Sequence, residues 1–74
     1  MPMDDFPIRT YTKKELALCY FPDSTPHTAV NHLMSWINRN KGLTDELTKL
    51  GYIKSQREFL PRQVMAIIDY LGAP

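Results

Sequence analysis

The sequence predicts an all-α domain: a compact bundle of four short helices, helix–turn–helix-like in its first half. Three observations support this fold class. The chain has 74 residues, a length that suits one domain. Apolar residues recur at helical spacing in several segments. Helix-start signals precede those segments, at Thr12, Thr25, Thr44 and Pro61.

An extended arm is expected at residues 1–11, ahead of a single helical domain at residues 12–74. Pro2 and Pro7 exclude a regular helix from the arm. Thr12 and Glu15 then form a capping box, in which each side chain accepts a hydrogen bond from the other residue's backbone N–H. The first helix should therefore run from about residue 13 to residue 20, and end ahead of the proline at position 22.

The second helix has the clearest start in the chain. Thr25 is a favourable N-cap, and Pro26 occupies the first helical position, where its missing N–H costs nothing. Gly42 is a natural C′ residue, so this helix should end near Asn40 or Lys41.

The third helix is expected to be short. Thr44 would cap its start, and Gly51 would end it in a Schellman motif, with Tyr52 folding back on Leu47. Residues 52–60 have apolar ends and a polar middle, without helical periodicity. This segment is either a small β-hairpin, which would form a wing, or an extended loop.

The fourth helix opens at Pro61 and closes near Gly72. Its apolar residues follow the i, i+3, i+4, i+7 rule of a helix that buries one face: Val64, Ile67, Ile68 and Leu71.

Several stretches together resemble a known family: "FPIRTYTKKELALCYFPDSTPHTA", "LGYI", "FLPRQV" and "YLGAP". The chain is similar to the small single-domain proteins of Bacteroides-type gut bacteria grouped as domain of unknown function 4248. The likeness covers roughly residues 6–74. It implies a helical domain often encoded near mobile or phage-derived elements. It implies no activity and provides no catalytic residues to carry over.

The composition of the chain bears on its cellular location. The longest apolar run is six residues, at 16–21, far short of the roughly 20 that a membrane span needs. The N-terminus shows no leader pattern, and Cys19 is the only cysteine, so no internal disulfide can form. We therefore expect a cytoplasmic protein that is not associated with a membrane.

Catalysis and metal binding are not expected. His27 and His32 are five residues apart, whereas helical zinc pairs are spaced by four. Cys19 falls on the apolar side of the first helix and should be a buried structural thiol. Trp36 is expected in the core. No catalytic residue, metal site, cofactor or small-molecule substrate is predicted.

The charge distribution favours a nucleic-acid partner, DNA in particular. Residues 24–57 carry five basic and two acidic residues, and residues 24–44 contain no acid. The outward face of the second helix offers neutral hydrogen-bonding groups and one cation, which suit base edges and phosphates. If residues 52–60 form a hairpin, Lys54 and Arg57 would lie on the wing, and Arg39, Lys41 and Lys49 would complete a phosphate-binding rim. The predicted contact residues are His27, Thr28, Asn31, Ser35, Asn38, Arg39, Lys41, Lys54 and Arg57.

Two other interpretations remain open. The polar faces of a small helical bundle are often merely solvated. Alternatively, the chain is a protein-interaction or oligomerisation module that binds another protein or a second copy of itself, because Leu18 and Tyr70 lie off the predicted core stripes. Phe6 and Ile8 could instead fold over Leu18 and bury it.

Overall fold

The computed structural model describes residues 6–74. It confirms the predicted fold class, because four helices make up most of this part of the chain and a small antiparallel pair of strands joins them. In chain order, the elements are β1 (Tyr11–Thr12), α1 (Lys13–Tyr20), α2 (Pro26–Arg39), α3 (Lys41–Lys49), β2 (Glu58–Phe59) and α4 (Pro61–Leu71).

The start of α1 is confirmed at residue level. The Thr12 hydroxyl accepts a hydrogen bond from the Glu15 N–H at 3.0 Å, and the Glu15 carboxylate accepts one from the Thr12 N–H at 2.9 Å. Both partners of the capping box therefore satisfy otherwise orphaned donors. The helix ends at Tyr20, and its cap Phe21 donates to the Ala17 carbonyl at 2.8 Å.

The predicted arm folds onto the domain as far as the structure describes it; residues 1–5 of that arm lie outside the described range. Phe6 stacks on Tyr11 with ring centroids 5.2 Å apart. The Tyr11 hydroxyl donates to the Pro7 carbonyl at 2.8 Å, and the Arg9 guanidinium lies 3.8 Å from the Tyr11 ring centroid. Tyr11 is buried, so it anchors this segment to the core.

The two strands resolve the alternatives for residues 52–60. β2 lies within that segment, but its partner is β1, with Tyr11 opposite Phe59 and Thr12 opposite Glu58. Both Tyr11 and Phe59 are buried, so burial of apolar side chains selects this long-range pairing over a local hairpin. Residues 53–56 instead form a turn, in which the Gln56 N–H donates to the Ile53 carbonyl at 3.1 Å.

The junction between α2 and α3 differs from the expectation. Asn40 is both the C-cap of α2 and the N-cap of α3, and its Oδ1 accepts from the Leu43 N–H at 3.1 Å. Gly42 is therefore not a C′ residue, and Thr44 is not a cap. The Thr44 hydroxyl donates to the Lys41 carbonyl within the helix. Asparagine is a strong N-cap, and a cap at position 40 starts α3 four residues before the predicted start.

The end of α3 is the predicted Schellman motif. Gly51 has a φ of +88°, and its N–H donates to the Thr48 carbonyl at 3.1 Å. The Tyr52 N–H donates to the Leu47 carbonyl at 2.9 Å. These two bonds satisfy carbonyls that the helix end would otherwise leave free.

α4 carries its predicted stripe together with a buried polar residue. Val64 and Ile67 are fully buried, and Ile68 and Leu71 pack partly buried against the core. Gln63 is also fully buried, which periodicity did not predict. Its Oε1 accepts from the Leu60 N–H at 2.9 Å, so it satisfies a donor at a helix start whose cap residue has no polar side chain.

The Gln63 amide also reaches two other segments. Its Nε2 donates to the Leu50 carbonyl at 3.2 Å, and its Oε1 accepts from the Gln56 amide at 2.8 Å. The Arg62 guanidinium donates to the same Leu50 carbonyl at 3.1 Å. These bonds join the end of α3, the turn before β2 and the start of α4.

One core unites these elements. It contains residues from all four helices and both strands: Tyr11, Leu16, Ala17, Ala29, Leu33, Ile37, Leu43, Leu47, Phe59, Val64, Ala66 and Ile67. Leu18 is partly buried against this core, so its side chain is not a free apolar surface.

Two predicted burial states are wrong. Cys19 is exposed, so it is not a buried structural thiol. Trp36 is 39% exposed because it lies at the edge of the stripe that α2 buries, beyond Ala29, Leu33 and Ile37.

Replacing Gly51 tests the Schellman motif. We expect Gly51→Val to lower the free energy of unfolding by about 1 kcal/mol or more, because a β-branched residue resists the left-handed backbone. Gly51→Asn should lower the free energy of unfolding by less, since asparagine tolerates that conformation. Urea denaturation of both variants measures the difference. Equal stability of wild type and Gly51→Val would contradict this description of the end of α3.

Replacing Gln63 tests the buried amide. Gln63→Met keeps the length of the side chain but leaves the Leu60 N–H without its acceptor, and should lower stability by about 1–3 kcal/mol. The control is Met65→Gln on the same helix, where the side chain is half-exposed. That change should stay within about 0.5 kcal/mol. If the two variants unfold at the same urea concentration, the hydrogen bonds of the Gln63 amide do not stabilise the fold.

Candidate nucleic-acid interface

The predicted polar face of α2 is exposed to solvent. The buried residues of α2 are Ala29, Leu33 and Ile37, and they form one stripe facing the core. The predicted contact residues on the rest of the helix are all exposed: His27, Thr28, Asn31, Ser35, Asn38 and Arg39. This surface therefore has the orientation that the sequence predicts.

Some groups on this face already bond to one another. The Asn31 Nδ2 lies 3.3 Å from the His27 Nε2, and the Thr25 hydroxyl donates to the Thr28 hydroxyl at 3.0 Å. These contacts are local, one helical turn apart, and exposed. They orient the side chains at the N-terminal half of α2 without removing them from the surface.

Lys54 and Arg57 lie in a basic cleft of about 530 Å³. We use "basic cleft" for the depression lined by Thr12, Lys13, Lys14, Val30, Lys54, Ser55, Gln56 and Arg57. Four of these eight residues are cations, and none of the eight is acidic. The strand pairing creates the cleft, because the Lys13 N–H donates to the Arg57 carbonyl at 2.9 Å and brings the 54–57 segment beside the start of α1.

Lys13 is the fixed charge of the basic cleft. Its Nζ donates to the Lys54 carbonyl at 3.2 Å and lies 5.1 Å from the Tyr52 ring centroid. Lys14, Lys54 and Arg57 are exposed, so their charged ends can reach a ligand. A positive field is therefore present in the cleft before any ligand orders the other three side chains.

Two carboxylates border the basic cleft. Glu15 is held by its capping bond to the Thr12 N–H, and Glu58 follows Arg57 on β2, with its side chain exposed. Neither lines the cleft.

Sequence reasoning missed Lys13 and Lys14. The signal was present, since the capping box at Thr12 fixes both lysines in the first turn of α1. Cations are unfavourable at a helix N-terminus, so two of them there form a local conflict of the kind that marks functional surfaces.

Arg39 and Lys41 do not join the basic cleft. They border a shallow depression with Trp36, Asn40 and Leu71, which we call the tryptophan flank. Val30 of the basic cleft and Trp36 lie on opposite sides of the buried stripe of α2, each about 60° from its centre. The predicted cations are therefore divided between the two sides of the helix.

The single rim expected from the later cations does not form. Lys49 is exposed in the last turn of α3 and lines neither the basic cleft nor the tryptophan flank. Asn38 lies near Lys54 instead, because both border a groove between α2 and α3. The exposed face of α2 thus has two distinct basic borders.

Within residues 6–74, no group of three or more histidine, cysteine, aspartate or glutamate side chains is placed to hold a metal ion. None of the helices described is long and apolar enough to cross a membrane.

A family profile described as "Domain of unknown function (DUF4248)" matches residues 7–74. The chain belongs to this family. The match includes all four helices and both strands, so the fold described above is that of a DUF4248 domain. No curated protein and no solved structure matches the chain significantly.

Tyr20 is a partly buried tyrosine with a raised pKa. It contacts Trp36 edge-on at a centroid distance of 6.2 Å, and its hydroxyl donates to the Gly72 carbonyl at 2.6 Å. Burial, with a smaller contribution from the charge of Cys19, raises the pKa of Tyr20 to about 12. The neutral phenol is thus the form that the folded protein stabilises.

This shift predicts a loss of stability at high pH. In the unfolded chain the phenol has a pKa of about 10. The contribution of Tyr20 to the free energy of unfolding is therefore complete below pH 10, and it is lost as the pH rises towards about 12. Tyr20→Phe should be less stable than wild type at neutral pH, and that difference should shrink over this range. Urea denaturation at a series of alkaline pH values tests it; a constant difference would contradict the shift.

Proposed function

We propose that this DUF4248 domain binds nucleic acid, with DNA as the expected partner, through α2 and the basic cleft. The observation that carries the proposal is the convergence of Lys13, Lys14, Lys54 and Arg57 beside a helix whose exposed face has no carboxylate. Cations from two distant parts of the chain meet there. A surface of this kind attracts a polyanion.

The basic cleft would supply the phosphate contacts. Lysines bind phosphate as point charges, and Arg57 can bind two phosphate oxygens at once. The Ser55 hydroxyl lies in the same cleft and can donate a further hydrogen bond. These contacts would orient the protein on the duplex without reading its sequence.

The exposed face of α2 would then meet the bases. Asn31 and Asn38 can bond adenine through two hydrogen bonds, while His27, Thr28 and Ser35 suit base edges or phosphates. α1 and α2 are consecutive helices that pack together, joined by residues 21–25. This arrangement is compatible with a helix–turn–helix in which α2 is the recognition helix.

The size of the positive surface sets the expected strength of binding. Four phosphate contacts would give a slope of log affinity against log salt of about −3 to −4 on duplex DNA. Such binding is weak at physiological salt when compared with that of a dimeric repressor. An accessory role, in which the domain assists another DNA-binding component in the cytoplasm, fits that strength.

Protein interaction is the second candidate function. Tyr70 is 46% exposed and Trp36 is 39% exposed, so two large aromatic side chains are available to a partner. The packing of Leu18 against the core removes one of the residues that first suggested this role. The convergent cations favour nucleic acid over this alternative.

Salt-dependent binding to a mixed-sequence duplex tests the main proposal. Lys54→Gln should weaken binding about three- to tenfold and make the salt slope shallower by about 1, because one phosphate contact is lost. Lys49→Gln removes the same charge from a position outside the basic cleft, and it should leave the slope unchanged. Fluorescence anisotropy of a labelled duplex measures both.

Two results would contradict the proposal. One is an affinity that does not depend on salt. The other is an equal effect of the two lysine variants, which would indicate a response to net charge alone. Concentration-dependent sedimentation of the free protein, without DNA binding, would favour the interaction module instead.

A further inference from the structure

We infer that Trp36 is a stacking platform for an unpaired base, so that the preferred ligand is DNA with a single-stranded segment next to a duplex. This inference rests on the proposed nucleic-acid binding and specifies its substrate class. It assigns a role to the tryptophan flank, which the duplex contacts of the basic cleft do not use.

The indole of Trp36 is both held and exposed. Phe21 contacts it edge-on at a centroid distance of 4.8 Å and an interplanar angle of 64°, and Tyr20 does so at 6.2 Å and 76°. Even with these neighbours, 39% of Trp36 is exposed to solvent. Aromatic side chains held in this way are the surfaces on which single-stranded nucleic acids stack their bases.

Cations stand beside this ring. Arg39 follows Trp36 by one helical turn, so the two side chains are neighbours on α2. Lys41 borders the same depression, and none of the five lining residues is acidic. A base on the indole would thus have positive charge next to it for the adjoining phosphates.

The distance between the two basic borders suits a short strand. A helix with its side chains is about 10–12 Å wide, and successive nucleotides of one strand are about 3.4 Å apart along a duplex. Around the exposed face the two borders are about 240° apart, an arc of about 20–25 Å, so about six or seven nucleotides separate a phosphate in the basic cleft from a base on Trp36. A duplex end seated on α2 would place its unpaired extension within reach of the tryptophan flank.

Charge argues against a second copy of this chain as the occupant. A two-fold symmetric contact through the tryptophan flank would bring Arg39 and Lys41 against the same residues of the other copy. Like charges in a contact are unfavourable. An anionic ligand with flat aromatic groups satisfies both the cations and the indole.

Trp36 is the only tryptophan of the chain, so its fluorescence reports on the site directly. Two ligands are compared: a blunt duplex, and the same duplex with a short thymidine overhang. We expect the overhang to quench Trp36 fluorescence and to bind roughly tenfold more tightly than the blunt duplex. Anisotropy of a labelled strand gives the affinities independently of the quenching.

Variants of position 36 complete the test. Trp36→Leu should bind both ligands equally while keeping the affinity for the blunt duplex. Trp36→Phe should recover part of the preference, since a smaller ring still stacks. Urea denaturation of each variant verifies that it folds.

The outcomes separate this inference from the proposed function. If the overhang gives neither quenching nor tighter binding, while Lys54→Gln still weakens duplex binding, the stacking role is wrong and nucleic-acid binding stands. If neither ligand binds, both ideas fail. If Trp36 fluorescence changes with protein concentration in the absence of DNA, the flank is a self-association surface and the inference is overturned.

Discussion

The structure depends on one buried side-chain amide, that of Gln63. The helices and strands of this domain are short, and the segment between α3 and β2 contributes few apolar side chains to the core. Gln63 bonds to the Leu60 N–H, the Leu50 carbonyl and the Gln56 amide. Gln56 in turn bonds to the Ile53 N–H and the Glu58 carbonyl. A segment with little packing of its own is thereby fixed through hydrogen bonds that centre on a fully buried side chain.

This constraint also positions the candidate site. The segment that Gln63 and Gln56 hold in place carries Lys54 and Arg57, and its last residues pair with β1. That pairing sets the two cations beside Lys13 and Lys14. The basic cleft is thus a product of long-range structure, although every one of its cations is a surface residue. A loop of the same composition without the amides of Gln63 and Gln56 would hold its charges in no fixed place relative to α2.

Signals contained within a few residues predicted the local structure well. Four such signals gave the correct element: the capping box at Thr12, the proline at the start of α2, the glycine at position 51 and the apolar stripe of α4.

The predictions were wrong where residues distant in the sequence determine the structure. The strand partner of Phe59 is 48 positions away, at Tyr11, and no local pattern specifies it. Trp36 and Cys19 were expected to be buried, but each lies at the edge of its helix's apolar side, where neighbouring elements determine exposure. Helical periodicity predicts both the core stripe and the outward polar face of α2. It does not predict that the cations divide between the basic cleft and the tryptophan flank, because those cations come from several elements.

The double role of Asn40 has a consequence for how this domain can change. One residue closes α2 and opens α3, so the two helices meet without a spacer. An inserted residue at this corner would turn α3 about its own axis by about 100° and take Leu43 and Leu47 out of the interior. We therefore expect the corner to tolerate neither insertions nor deletions, and any variation in length to concentrate in the exposed tip at residues 53–55. The angle between α2 and α3 would then stay the same across variants of this domain.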